Sequence, residues 1–560
     1  MLRKLIVVIN ILILLSLVLT ACASPVTQAP QEAVPTVQPQ IIKETVIAEK
    51  TVVVEKTVEV PVVVEDTSTT CIPSGAVKRG GEVVYARNEA PLTLNPWNTF
   101  DAGSIWVIPN IYSTLVRVDS EGTGLVPDLA KSWDISDDGT VYTFHLRDAK
   151  FSNGDPVTAE DLAYSWGQAL TSGYAFAYEA VDKVEPLDDK TVKITLKEPF
   201  SPFMSLASLF TGAVVPKKIH EADPEGFGDH PIASGAWMVE EYMPGEKVVL
   251  VPNPYYYELG ADCKPLPYLD KFTNLYVPES NSRVLGLLKG DYAASQEIPY
   301  SEGANMESKE GINLEKAFIY RLDYVYTNHA KPPLDKKEMR MALNYATNRE
   351  SILKNVYFDY AQLPNSFMPK MNFWNKDVPV IPYDPAKAKD LLKQAGYNGE
   401  PIQMLVPSGD TRSKQTATIL QSNWKDVGIN AEILELDIGA LWDKVYAGDY
   451  QLSVNMVITD VPDDDELNTL MADAGTEGFY SFFSWYNDPD ASAQLAEARK
   501  ISDPVERAKF YAQVQEKVYW DGYSVPIAFP PVLTGLQEYV KGWQTTKMGW
   551  VWWKDVWLDK

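Results

Sequence analysis

The spacing of apolar residues changes character along the chain, and each change predicts a different element. From Leu5 to Leu19 the run is apolar apart from Asn10 and Ser16, and Arg3 and Lys4 precede it. A short apolar run behind two cations predicts a secretory signal over 1–21, because a membrane-spanning helix needs about 20 such residues. From Ala23 to about Gly75, Val alternates with Thr, Glu and Lys, with a near-repeat in EKTVVV (Glu49 to Val54) and EKTVEV (Glu55 to Val60). Pro61 and the Pro/Gln-rich start oppose a long helix, so 22–76 is expected to be an extended, low-complexity stalk.

Beyond the stalk the rhythm is that of a folded body. VYTFHL (Val141 to Leu146) and TVKITL (Thr191 to Leu196) alternate with the period of a half-buried strand. Asp137, Asp138 and Gly139 form a turn before the first of them. Between these strands, Thr158 to Asp161 is a helix-start box, followed by Leu162, Ala163, Trp166 and Leu170 at helical spacing. Met339, Ala342, Leu343 and Ala346 line another helical face, and Thr347 with Glu350 restarts a helix carrying Ile352, Leu353 and Val356. Strands then alternate with helices: Ile402 to Val406, Lys414 to Val427, Asn430 to Leu436, Gly439 to Ala447 and Gln451 to Ile458. That order predicts an α/β domain with a largely parallel sheet, which binds ligands beyond the carboxyl ends of its strands. The segment in that position reads Thr459, Asp460, Val461, Pro462, Asp463, Asp464, Asp465. A binding loop and a solvated acidic turn both fit it.

Charge and composition narrow the function. The formal net charge of −26 and the lack of Lys/Arg-rich runs exclude a nucleic-acid partner. Three cysteines (Cys22, Cys71, Cys263) and four scattered histidines give no metal-ligand spacing. No Gly-Lys dipeptide occurs, which removes the phosphate loop of a nucleotide hydrolase. The serine-hydrolase elbow, the zincin motif and the dinucleotide glycine pattern are missing too. No enzyme or cofactor is therefore expected, although two carboxylates would suffice for a glycosidase. The 15 Trp and 30 Tyr suggest aromatic-lined recognition, with core packing as the plainer account.

Several longer motifs stand in a fixed order. They are TLNPW (Thr93 to Trp97), LVPDLAKSWDISDDGTVYTFHLRDAKFSNGDPVTAEDLAYSW (Leu125 to Trp166) and SGAWMVEEYMPGEKVVLVPNPYYY (Ser234 to Tyr257). PLDKKEMRMALNYATNRESIL (Pro333 to Leu353), SDPVERAKFYAQVQEKVYWDGYSVPIAF (Ser502 to Phe529) and VKGW (Val540 to Trp543) follow. Together they closely resemble the extracytoplasmic solute-binding proteins of family 5, the oligopeptide-, dipeptide- and nickel-binding components of ABC importers. Leu19, Thr20, Ala21 and Cys22 resemble a bacterial lipobox, in which Cys22 is acylated and holds the protein to the membrane.

The resemblance implies a two-lobed α/β periplasmic-binding fold of type II, in the large peptide-binding cluster, with mixed sheets and hinge strands. Lobe I is expected at 77–325 with a return segment at 525–560, and lobe II at 326–524. It implies a monomeric receptor that closes on short peptides, or on oligosaccharides, and serves a permease whose ATPase subunits are separate chains. In peptide-binding members an aspartate at the position of Asp460 holds the ligand's ammonium group. The tryptophan often found just upstream is replaced here by Val457 or Ile458. Asp463 is carried as a second acidic candidate, and Arg412 is the nearest match for a carboxylate-binding arginine. Trp442, Trp485, Tyr486 and Phe100 are the aromatic candidates for a ligand wall. An oxidising location permits a disulfide between Cys71 and Cys263.

Overall fold

Three sheets carry the fold, and each is built where the sequence pattern buries one or both strand faces. The computed structural model describes residues 77–473 and 481–560. The expected signal, Cys22, the stalk and Cys71 lie outside the described residues. The first sheet has seven strands in the order Ile312–Ala317, Val532–Gln537, Ala294–Ser295, Glu82–Arg87, Lys271–Tyr276, Lys247–Pro252 and Trp237–Met243. Glu82–Arg87 runs parallel to both its neighbours, and the flanking strands are antiparallel. A four-stranded antiparallel sheet over Ala130–Leu196 packs beside it, covered by the helix Ala159–Ala169. Val141–Leu146 and Thr191–Leu196 fall where alternation places them, and each buries every second residue. The helix begins with the capping box expected at Thr158 and Asp161.

The other sheet has five strands in the order Ala431–Leu436, Ile402–Pro407, Leu452–Ile458, Arg321–Thr327 and Ser524–Ala528. Only Arg321–Thr327 runs against the rest, which matches the largely parallel sheet expected. Its core gathers Met404, Val406, Trp424, Val325 and Val525. Two helix starts differ from expectation. The helix expected from Lys414 spans Thr411–Lys425, because the Asp410 carboxylate accepts from the amides of Arg412 and Ser413. The helix Arg349–Asn355 is capped by Asn348. Thr347 is used elsewhere: its hydroxyl donates to Leu343 O, and Trp424 Nε1 lies 3.1 Å from its oxygen.

The chain passes from the first sheet to the second between Ala317 and Arg321, and returns between Ala528 and Val532. The segments 320–328 and 525–529, expected as strands joining the lobes, are therefore for the most part the strands Arg321–Thr327 and Ser524–Ala528 of the second sheet. This is the two-lobed arrangement, with two connections between lobes. The tryptophan surplus is largely core: Trp166, Trp237, Trp424 and Trp553 are fully buried, and Trp553 stacks on Phe272 at 4.3 Å. Cys263 is disulfide-bonded, to a partner outside the described residues. Among the described residues no helix is long and apolar enough to cross a membrane.

Candidate functional site

The carboxyl ends of parallel strands in both sheets meet at the seam between the lobes, as expected for open α/β sheets. On the first sheet, Glu82–Arg87 leads into Glu89, and Ala294–Ser295 leads into Gln296 and Glu297. On the second, Ile402–Pro407 leads to Asp410 and Arg412, and Leu452–Ile458 leads to Asp460. Side chains bridge the seam. Arg321 Nη1 lies 3.2 Å from Glu297 Oε1, and its Nε lies 2.7 Å from Asp323 Oδ1. Burial raises the Glu89 carboxyl, and the Arg87 guanidinium opposes that shift.

Asp460 is the carboxylate placed to span the lobes. The Tyr174 hydroxyl donates to Asp460 Oδ2 at 3.0 Å, and burial keeps that hydroxyl protonated. The loop behind is held by Glu466, whose Oε2 accepts from the Thr459 hydroxyl and from the amides of Asp460 (3.0 Å) and Val461 (3.3 Å). Burial pushes both carboxyls above their ordinary range, Glu466 further because the Asp460 charge faces it. Two acids confined in this way favour a cation brought to them, since a cation lets them ionise without repelling each other.

The other expected residues are placed differently. Asp463 caps the helix Asp464–Ala472 and meets Arg507 with both oxygens, at 2.6 and 2.8 Å, so its carboxylate is occupied by a helix-to-helix ion pair. Arg412 lies 3.5 Å from Asp323 and 3.7 Å from Asp410, at the rim of the charged group around Arg321. Trp442 packs among Tyr446 and Phe483. The Trp485 ring lies over Gly448. Tyr486 Oη is 3.0 Å from both Asp488 and Asp521. Phe100 is the exposed ring of the set, and it stacks on Tyr174 at 5.0 Å. The structure thus brings Phe100, Tyr174 and Asp460 together, and sets Trp442, Trp485 and Tyr486 in packing or turn roles. Among the described residues no group of three His, Cys, Asp or Glu could hold a metal ion.

Sequence reasoning missed Tyr174, Glu466, Arg321 and Glu297. Asp463 and Glu466 do carry a signal, the i to i+3 acidic spacing of a helix start. Glu466 uses that spacing to reach back to the Thr459 hydroxyl and the 460 and 461 amides instead of the cap. Tyr174 is far from Asp460 in sequence, and no local pattern links them.

Known proteins share this architecture over most of the chain. The glutathione-binding protein GsiB of Escherichia coli O1:K1 / APEC is 28% identical over 478 residues, covering 82% of this chain and 91% of that protein. The probable D,D-dipeptide-binding periplasmic protein DdpA of Escherichia coli K12 is also 28% identical, with 82% and 90% covered. Among solved structures, the ABC transporter-associated periplasmic binding protein DppA from Helicobacter pylori, in complex with peptide STSA, superposes with a TM-score of 0.79 at 26% identity. That match covers 86% of this chain and 99% of the other. These relatives are binding proteins, and no enzyme stands among them. The family model for the middle part of bacterial extracellular solute-binding proteins, family 5, matches residues 124–479, and the chain belongs to that family.

Proposed function

We propose that this protein is the lipid-anchored receptor of an ABC importer, which captures short peptides in the interlobe cleft and delivers them to the membrane permease. Cys22 carries the lipid, the 22–76 stalk holds the body off the membrane, and Cys71 is the partner of Cys263. The receptor works as a monomer, and ATP is hydrolysed by separate subunits. The observation that carries the ligand reading is Asp460, a carboxylate after a sheet strand that already bonds across the seam to Tyr174. A peptide ammonium group entering there adds a charged donor beside the Tyr174 hydroxyl, a bond of about 1.5–3 kcal/mol. The names of the relatives, glutathione- and dipeptide-binding, support the same class of ligand. The oligosaccharide alternative is weaker, because Trp442 and Trp485 lie against neighbouring protein groups.

Calorimetry tests this with a mixed tripeptide pool and with cello- and xylo-oligosaccharides, on the parent protein and on Asp460→Ala, Trp442→Ala and Trp485→Ala. Peptides should bind, and Asp460→Ala should weaken them about ten- to a hundred-fold while the Trp variants change little. Tight sugar binding without a peptide signal would defeat the peptide reading.

A further inference from the structure

Beside the Asp460 loop, and lined in part by Glu466, lies an open cavity of about 190 Å³. The space admits a long unbranched side chain. One wall is apolar and comes from the first lobe, through Phe176, Phe200 and Leu206. The other comes from the second lobe, through Asp465, Glu466 and Arg499. The cavity adjoins the candidate ligand position on both sides: the Phe176 ring packs against Tyr174 at 5.6 Å, and Glu466 accepts from the Asp460 amide.

The charges lining it do not cancel. Arg499 is engaged by Asp465 at 3.1 Å and by Asp473 at 3.4 Å. Glu466 and the exposed Glu179 at the rim have no cationic partner among the described residues. Glu466 is 8% exposed, and while its Oε2 is held by Thr459 and two amides, its Oε1 accepts no hydrogen bond from any described residue. A carboxylate oxygen on a cavity wall that accepts nothing from the described residues is open to a donor from the cavity, and a cationic donor makes the strongest bond there.

We infer that this cavity is a specificity pocket for a cationic first side chain of the bound peptide, lysine or arginine, whose stem lies along Phe176 and Leu206 and whose head is received by Glu466 Oε1. The inference rests on the peptide reading above and adds to it a preference that Asp460 alone does not create. With the ligand ammonium at Asp460, the first side chain is the one that leaves the backbone next to the pocket. The long apolar stem and charged tip of lysine or arginine match a pocket with one apolar and one acidic wall.

The test compares isosteric pairs on the full protein by calorimetry: Arg-Ala-Ala against citrulline-Ala-Ala, and Lys-Ala-Ala against norleucine-Ala-Ala. The charged member of each pair should bind about ten-fold tighter or more. Glu466→Gln should collapse that ratio to about three-fold or less, read as a ratio within one variant so that a general loss of affinity does not mimic it. Ala180→Phe, which narrows the pocket and leaves every carboxylate in place, should cost Arg-Ala-Ala its advantage while Ala-Ala-Ala still binds. Equal affinity within each pair would overturn the pocket and leave the peptide reading standing. A preference that survives both variants would place the cation elsewhere and overturn it too. If none of these peptides binds, the peptide reading fails and the pocket assignment fails with it.

Discussion

Asp464 has no rim to breathe through: it is fully buried, one oxygen accepts from the Phe373 amide at 3.0 Å, and Oδ1 has no partner among the described residues. Burial is the main cause that pushes its carboxyl from 3.8 up to about 7, with the neighbouring Asp463 adding to the shift. An acid raised in the folded state binds a proton there that the unfolded chain has already lost. Its contribution to stability is therefore present at low pH and is lost as pH rises through about 7. Asp464→Asn removes that loss. The variant should gain thermal stability over the parent at about pH 8, by an amount up to the order of 4 kcal/mol, and the difference should shrink toward about pH 5. Melting curves of both proteins across that range check it, and a constant offset would contradict the assignment. The same scale distinguishes the acids of this loop, since Asp463 meets a guanidinium with two bonds and Asp460 meets a phenol.

At the scale of elements, legibility in the sequence follows how many faces are buried. Val141–Leu146 and Thr191–Leu196 bury one face and show it as alternation. Arg321–Thr327 is buried at every position, so RLDYVYT reads as a strand without showing which sheet it joins, and its place inside the second sheet came from the structure. The start of Thr411–Lys425 was missed because its first turn holds the polar residues Thr411 and Arg412, with the cap supplied by Asp410. In the site, Asp460 was legible as the residue after a strand, whereas Tyr174 and Glu297 owe their places to tertiary proximity alone. Gly448 shows how such proximity constrains an element end. It closes the segment after the helix Ile438–Tyr446 at φ +64°, and a Cβ there would stand 2.5 Å from the Trp485 ring. Gly448→Ala should destabilise the protein by about 1–2 kcal/mol from the backbone alone, with any displacement of Trp485 in addition. Urea unfolding together with near-ultraviolet circular dichroism would register both effects.

At the scale of the whole molecule, two chain crossings join the lobes, buried apolar residues of both share one core cluster, and polar contacts between them include Tyr174 with Asp460, Arg321 with Glu297, Tyr360 with Glu307, and the Ser201 amide with Arg499 O at 2.7 Å. A ligand that binds both faces favours the closed population by its differential affinity for it. Small-angle scattering should show a smaller radius of gyration with saturating peptide, and an unchanged radius would contradict hinge closure. Tyr174→Phe deletes a bond to a charged group and should loosen the closed form, weakening binding by about ten-fold.

The strand Val532–Gln537 does not lie at an edge of its sheet; it is wedged between Ile312–Ala317 and Ala294–Ser295. During synthesis, therefore, the first lobe waits with an unfilled slot and two exposed strand edges until this late segment arrives. Such long-range closure slows folding and keeps the nascent chain open to chaperones and to threading through a narrow channel. A chain that stops at Pro530 should accordingly remain sensitive to brief proteolysis across 77–317, and a protected fragment of that size would show that the lobe can close its sheet without its last strand.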